Sequence, residues 1–168
     1  MRIIPAIVLA AALVALSACS VPPLKPYAYP AWGFAVSFRA PPTVVETPAS
    51  ADGATPHSIA LTLVNAGRSY DLSATDASKS AKSDDQILSD VPRSMAEGVG
   101  GTLGPQTYVA TGQVVGREFK IDKPGQATAR VRIFVAHRRL YEIVSQSTLG
   151  PDDPEVTTFL DSFQLTGS

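Results

Sequence analysis

Two places in this chain combine side-chain type and spacing in a way that implies chemistry. The first is Cys19, the one cysteine among 168 residues, set directly behind Leu16-Ser17-Ala18. A thiol is a strong nucleophile once ionised, and small residues just before it suit a peptidase that cuts at Ala18 and exposes Cys19. The second is a run of five basic groups, Arg130, Arg132, His137, Arg138 and Arg139, within ten residues of a slightly acidic chain. Arginine's planar fork matches carboxylate and phosphate oxygens, so such a cluster is a candidate binding patch for an anion or an acidic partner. The competing structural reading is cross-strand pairing with Glu118 and Glu142 around a solvated turn.

The segment before Cys19 has the organisation of an export signal. Arg2 supplies a positive start, and the uncharged apolar run from Ile3 to Leu16 is shorter than the ~20 residues a membrane span requires. Leu16-Ser17-Ala18-Cys19 resembles the lipobox of bacterial lipoproteins. That resemblance implies removal of residues 1–18, a diacylglyceryl thioether on Cys19 and a further acyl chain on its new amino group. Ser20 stands where an aspartate would imply retention in the inner membrane, so the resemblance implies a lipid-anchored protein on the periplasmic face of the outer membrane. Two or three acyl chains anchor stably, since each buried methylene contributes ~0.8 kcal/mol.

Without residues 1–18, 150 of the 168 residues remain, enough for one domain with its own core. Loss of Arg2 leaves 13 of the 14 basic side chains against 15 acidic ones, so nothing global draws the protein to nucleic acid. Val21 to Pro30 carries four prolines and reads as an extended spacer, giving a lipidated cysteine and tether over 19–30 and a single domain over 31–166.

Other chemistry finds little footing. His57 and His137 lack zinc-site spacing, and there is no nucleophile elbow, phosphate loop or dinucleotide fingerprint. A serine, a histidine and an aspartate meeting only in space is the remaining enzymatic route. Asp84-Asp85 and Asp152-Asp153 suit calcium, but both stand where helices begin, and capping explains them. No catalytic residue, metal ligand or cofactor is therefore assigned, and the chain reads as a non-enzymatic module that binds an envelope protein or an anionic ligand. The alternative is a small-ligand or lipid-binding domain with a pocket between sheet and helix.

The elements that must position these groups are mostly short strands. Phe34, Val36 and Phe38 share one parity and predict a half-buried strand that Pro41-Pro42 ends. Thr47 to Pro56 reads as a loop. Ile59, Leu61 and Leu63, then Tyr70 and Leu72, predict a hairpin about Asn65-Ala66-Gly67. Ser83 with Gln86 forms a capping box before Ile87, Leu88, Val91 and Met95, with Pro92 kinking or ending that helix. Strands follow over 106–111, 113–122, 127–136 and 140–146, the last two joined at His137-Arg138. Asp152-Asp153-Pro154-Glu155 opens a final helix with Val156, Phe159, Leu160 and Phe163 on one face.

On the last strand pair, Val131, Ile133 and Val135 share a face with Leu140 and Val144, while Phe134, Tyr141 and Ile143 share the other. Both faces are apolar, so both need cover. The expected fold is α+β: a three-layer α/β/α sandwich around a mainly antiparallel sheet. This order of elements, with Gly33-Phe34-Ala35-Val36-Ser37-Phe38, Gly116-Arg117-Glu118-Phe119, Arg139-Leu140-Tyr141 and Phe159-Leu160-Asp161-Ser162-Phe163, resembles the PsbP-like fold over about residues 31–166. The resemblance implies scaffolding and partner binding, and it carries over no active-site residue.

Overall fold

The computed structural model describes residues 22–166; the expected cleavage at Ala18 and lipidation at Cys19 lie outside them. Every strand pairing described is antiparallel. One sheet of eight strands has the order β3 (Thr43–Thr47), β4 (Ser58–Asn65), β5 (Arg68–Asp76), β10 (Arg139–Ser147), β9 (Ala129–Ala136), β8 (Val114–Asp122) and β6 (Thr102–Leu103), with β7 (Thr107–Thr111) also on β8. A smaller sheet comprises β1 (Lys25–Tyr29), β2 (Phe34–Phe38) and β11 (Gln164–Leu165). The helices are α1 (Asp84–Val99) and α2 (Pro154–Asp161).

Register assigns each side chain to a face. Tyr141 lies opposite Phe134 and Ala74, and Ile143 opposite Leu72, which in turn faces Leu61. That face carries a buried, aromatic-rich core in which Phe34, Val36 and Phe38 of β2 and Phe159 and Leu160 of α2 meet the large sheet. On the opposite face Val144 pairs with Val131, and Val131 with Phe119, beneath Leu88, Val91, Met95 and Ala96 of α1. The large sheet is thus covered on both sides, but one cover is a small sheet working together with α2 rather than helix alone. β2 supplies Phe34, Val36 and Phe38 to that cover, beside the short α2.

Several local signals act as their chemistry requires. Ser83 accepts from the Gln86 backbone N–H while the Gln86 side chain accepts from Ser83 N–H, the reciprocal bonds of a capping box. Asp153 caps α2 by accepting from Glu155 N–H, with Pro154 at the first helical position. α1 continues through Pro92, whose ring is buried; the helix loses one backbone donor there but is not ended. Gly116 lets β8 lie against β9, since a Cβ there would stand 2.1 Å from the Ile133 carbonyl oxygen.

Two expectations change. The proline-rich segment is not a free spacer from Lys25 onward: Lys25–Tyr29 pairs with Phe34–Phe38, and Tyr27 and Tyr29 pack on the core. Pro26 is tolerated because β1 is an edge strand, where a missing N–H costs no ladder bond on the solvent side. After Pro41-Pro42 the chain also forms β3, a strand exposed along its length.

Candidate functional site

The five basic residues do not form one patch. Arg130 and Arg132 share a face, as their parity requires, and both are spent internally. Glu118 accepts from Arg130 Nε at 2.7 Å and from Arg132 Nε at 2.6 Å, while Arg130 also donates to Thr157 Oγ1 and Arg132 pairs with Asp161 at 2.7 Å. Burial alone would raise the Glu118 pKa, but the two guanidiniums outweigh it and hold the carboxyl below its usual range. Glu142, the other expected partner, lies on the opposite face and accepts from Ser73 Oγ at 2.9 Å.

The turn residues serve the fold as well. His137 and Arg138 both have left-handed backbone, with φ of +50° and +58°, the two-residue hairpin geometry that usually recruits asparagine and glycine. Such conformations cost roughly 1–2 kcal/mol per residue. Arg138 offsets this by donating to the carbonyls of Ala77 at 3.0 Å and Ser80 at 2.7 Å and to Asp84 at 3.2 Å, tying the hairpin to the approach to α1. Arg139 lies over the Trp32 ring, 5.3 Å from its centre, and donates to Ala31 O; Tyr141 Oη donates to Trp32 O at 2.9 Å. His137 is exposed, and 40% of the Arg138 side chain also meets solvent.

The serine and acid groups resolve the same way. Ser147 Oγ donates to Asp153 Oδ2 at 2.6 Å, and Arg68 rather than a histidine completes the group at 2.7 Å. Arg68 first, then Ser147 and the Glu155 N–H, lower the Asp153 pKa to about 2 against the opposing effect of burial. Asp84 and Asp85 lie in the first turn of α1. Among the described residues, no three His, Cys, Asp or Glu side chains converge to hold a metal ion.

What sequence reading leaves without residues is a groove of about 490 Å³ between α1 and the sheet. Its floor is Val144, Val131, Ala129 and Ile121, on adjacent strands, and Met95 and Val99 form its roof. α1 packs chiefly over β8, β9 and β6, and the groove opens toward β10 and β5. On that side stands Asp71, directly across from Val144. Burial pushes its pKa up, and hydrogen bonds with Thr62 and Ser69 offset this only in part. Among the described residues, no cation pairs with Asp71. The one advance signal was the doubly apolar β9–β10 pair, which demands cover without saying how well that cover fits.

No family model matches the chain, and no curated protein matches its sequence. Among solved structures it is similar to the solution structure of cyanobacterial PsbP (CyanoP) from Synechocystis sp. PCC 6803. The TM-score is 0.56 at 9% identity, covering 91% of this chain and 98% of that one. At that identity the likeness carries the fold, which is PsbP-like, and nothing about activity.

Proposed function

We propose that this PsbP-like domain is a non-catalytic binding module of an envelope lipoprotein, held to the periplasmic face of the outer membrane by acyl chains on Cys19, and that its ligand is a small apolar molecule held beneath α1. The observation that carries this reading is the groove of about 490 Å³, floored by Val131, Val144 and Ile121 and large enough for a ligand-sized molecule. The internal consumption of Arg130, Arg132, Arg138 and Arg139 weighs against the basic cluster as the binding surface. No cofactor and no nucleic acid enter this reading.

The test is binding of a fluorescent fatty-acid probe to residues 20–168 and to Gly98→Leu. A Cβ at Gly98 meets nothing within 4 Å, and leucine is the better helix former, so this variant should fill the groove and keep the fold. Saturable binding lost in Gly98→Leu supports the reading; no binding to the parent, or equal binding to both, overturns it.

A protein-binding role is the second reading, favoured by one exposed surface. Tyr108 is 74% exposed with the Arg117 guanidinium 4.6 Å over its ring, beside Val115 at 54%. Tyrosine and arginine are enriched among residues that dominate protein interfaces. Loss of a captured envelope partner in Tyr108→Ala, with probe binding intact, would favour it.

A further inference from the structure

The route of the chain into the domain orients the groove. Pro22 O accepts from Arg39, and Leu24 packs near Phe38, Tyr70 and Phe159. Arg39 shares a hollow with Asn65, Ala66 and Arg68, so residue 22 stands at the end of the sheet that carries the β4–β5 turn. Only Ser20 and Val21 lie between Cys19 and Pro22, and the three Cα–Cα steps span at most about 11 Å in any conformation. Whatever surface holds Cys19 therefore lies close to this end of the molecule.

The same end exposes two large apolar side chains among its polar ones. Val64, at the end of β4, is 73% exposed, and Leu149, in the loop after β10, is 75% exposed. Thr148 N–H bonds Gly67 O at 3.0 Å, which holds that loop against the β4–β5 turn. Val99, at the end of α1, is 49% exposed and belongs to the groove lining, as do Lys123 and Gln126 of the adjacent β8–β9 turn. The register confirms the placement: Val64 faces Ser69, Ser69 faces Gln146, Gln146 faces Ala129, and Ala129 faces Ile121. The groove floor thus runs along the row of side chains nearest the end that Cys19 would approach. The His137-Arg138 turn and Trp32 lie at the opposite end.

We infer that this end of the domain is a membrane-facing surface, and that the groove takes a phospholipid acyl chain from the bilayer in which Cys19 is anchored. The inference rests on the Cys19 anchor proposed above. A short leash makes the bilayer the nearest apolar phase, exposed Val64 and Leu149 give up water on contact, and Lys123 at the rim suits a phosphate at headgroup depth. The occupant is thus specified by reach and by the polarity of the rim, not by volume alone.

The experiment uses the full acylated chain in vesicles of phosphatidylethanolamine and phosphatidylglycerol with brominated acyl chains. Mass spectrometry of the mature chain first establishes that Cys19 carries lipid, so failure of the anchor is seen separately. A thiol is then introduced by Leu149→Cys or, at the opposite end, His137→Cys, and each is labelled with a fluorophore. Several-fold stronger quenching at 149 than at 137 supports the inference, and Val64→Glu should reduce it. Equal quenching at both sites, or stronger quenching at 137, overturns it. A photoactivatable acyl chain in the same vesicles should crosslink to Met95 or Val99 and lose that product in Gly98→Leu. Absence of the crosslink in the parent overturns acyl occupancy even where the quenching pattern holds, and retention of soluble-probe binding then leaves the groove reading standing.

Discussion

The two faces of the large sheet are built from the same strands and differ in what covers them. On one face the cover is interdigitated: Phe34, Phe134, Tyr141 and Phe163 lie within 6.0 Å of one another in successive pairs, and Phe159 sits between Phe38 and Tyr70. On the other, α1 covers β8 and β9 and leaves a groove where β10 and β5 continue. Alternation along a strand makes both faces apolar over β9, yet the fit of the cover is decided by helix placement. Ring-to-ring packing stabilises the first face, and the second keeps the groove in which the proposed guest would sit.

The largest expected effect lies on the packed face. Phe159→Ala removes a ring that is 1% exposed and 5.2 and 4.9 Å from two other rings, and should cost about 3–5 kcal/mol in denaturant unfolding. Met95→Ala, on the groove roof where the side chain is only half-buried, should cost roughly 1 kcal/mol, since no tight packing is lost around it. Comparable losses for the two would break the distinction between the faces.

Much of this contrast is absent from the sequence for a physical reason. Capping at Ser83 and Asp153, the hairpin at Asn65 to Arg68 and the pairing of Arg130 and Arg132 with Glu118 follow from near neighbours or strand parity, and so are legible. β1 is not, because four prolines in ten residues argue for a spacer, and only the open edge of the small sheet makes Pro26 acceptable in a strand. The role of Arg138 also escapes, since its partners Ala77, Ser80 and Asp84 are brought near only by the left-handed turn it occupies. The groove depends on where a sixteen-residue helix comes to rest, which no periodicity encodes.

The second effect in size concerns Asp153, which works with Arg68 and Ser147 beside the packed core. Its folded pKa of about 2 lies below the ordinary 3.8, so folding favours the ionised form. That contribution is complete above the unfolded value and is lost as pH falls from about 4 through about 2. It amounts to roughly 2 kcal/mol, and Asp153→Asn should lower stability by about that much at neutral pH and by little in acid. A variant deficit that persists undiminished at low pH would assign the loss to packing instead.

Asp71 on the groove side is displaced in the opposite sense, and it sharpens the comparison most. Burial raises its pKa above 3.8, so the folded state disfavours the charge that neutral pH imposes. The penalty is absent below the unfolded value, grows as pH rises past it, and is complete above the raised folded value. Asp71→Asn keeps an acceptor for the Thr62 and Ser69 hydroxyls and removes the charge, so it should raise the unfolding midpoint at neutral pH, by less than Asp153→Asn lowers it. The gain should vanish in acid, where both forms are neutral. Such a gain would mean that Asp71 is kept at a stability cost beside the proposed groove. A fall in the midpoint would instead make Asp71 an ordinary structural acid, and the groove face would then resemble the packed face in the one respect that most separates them.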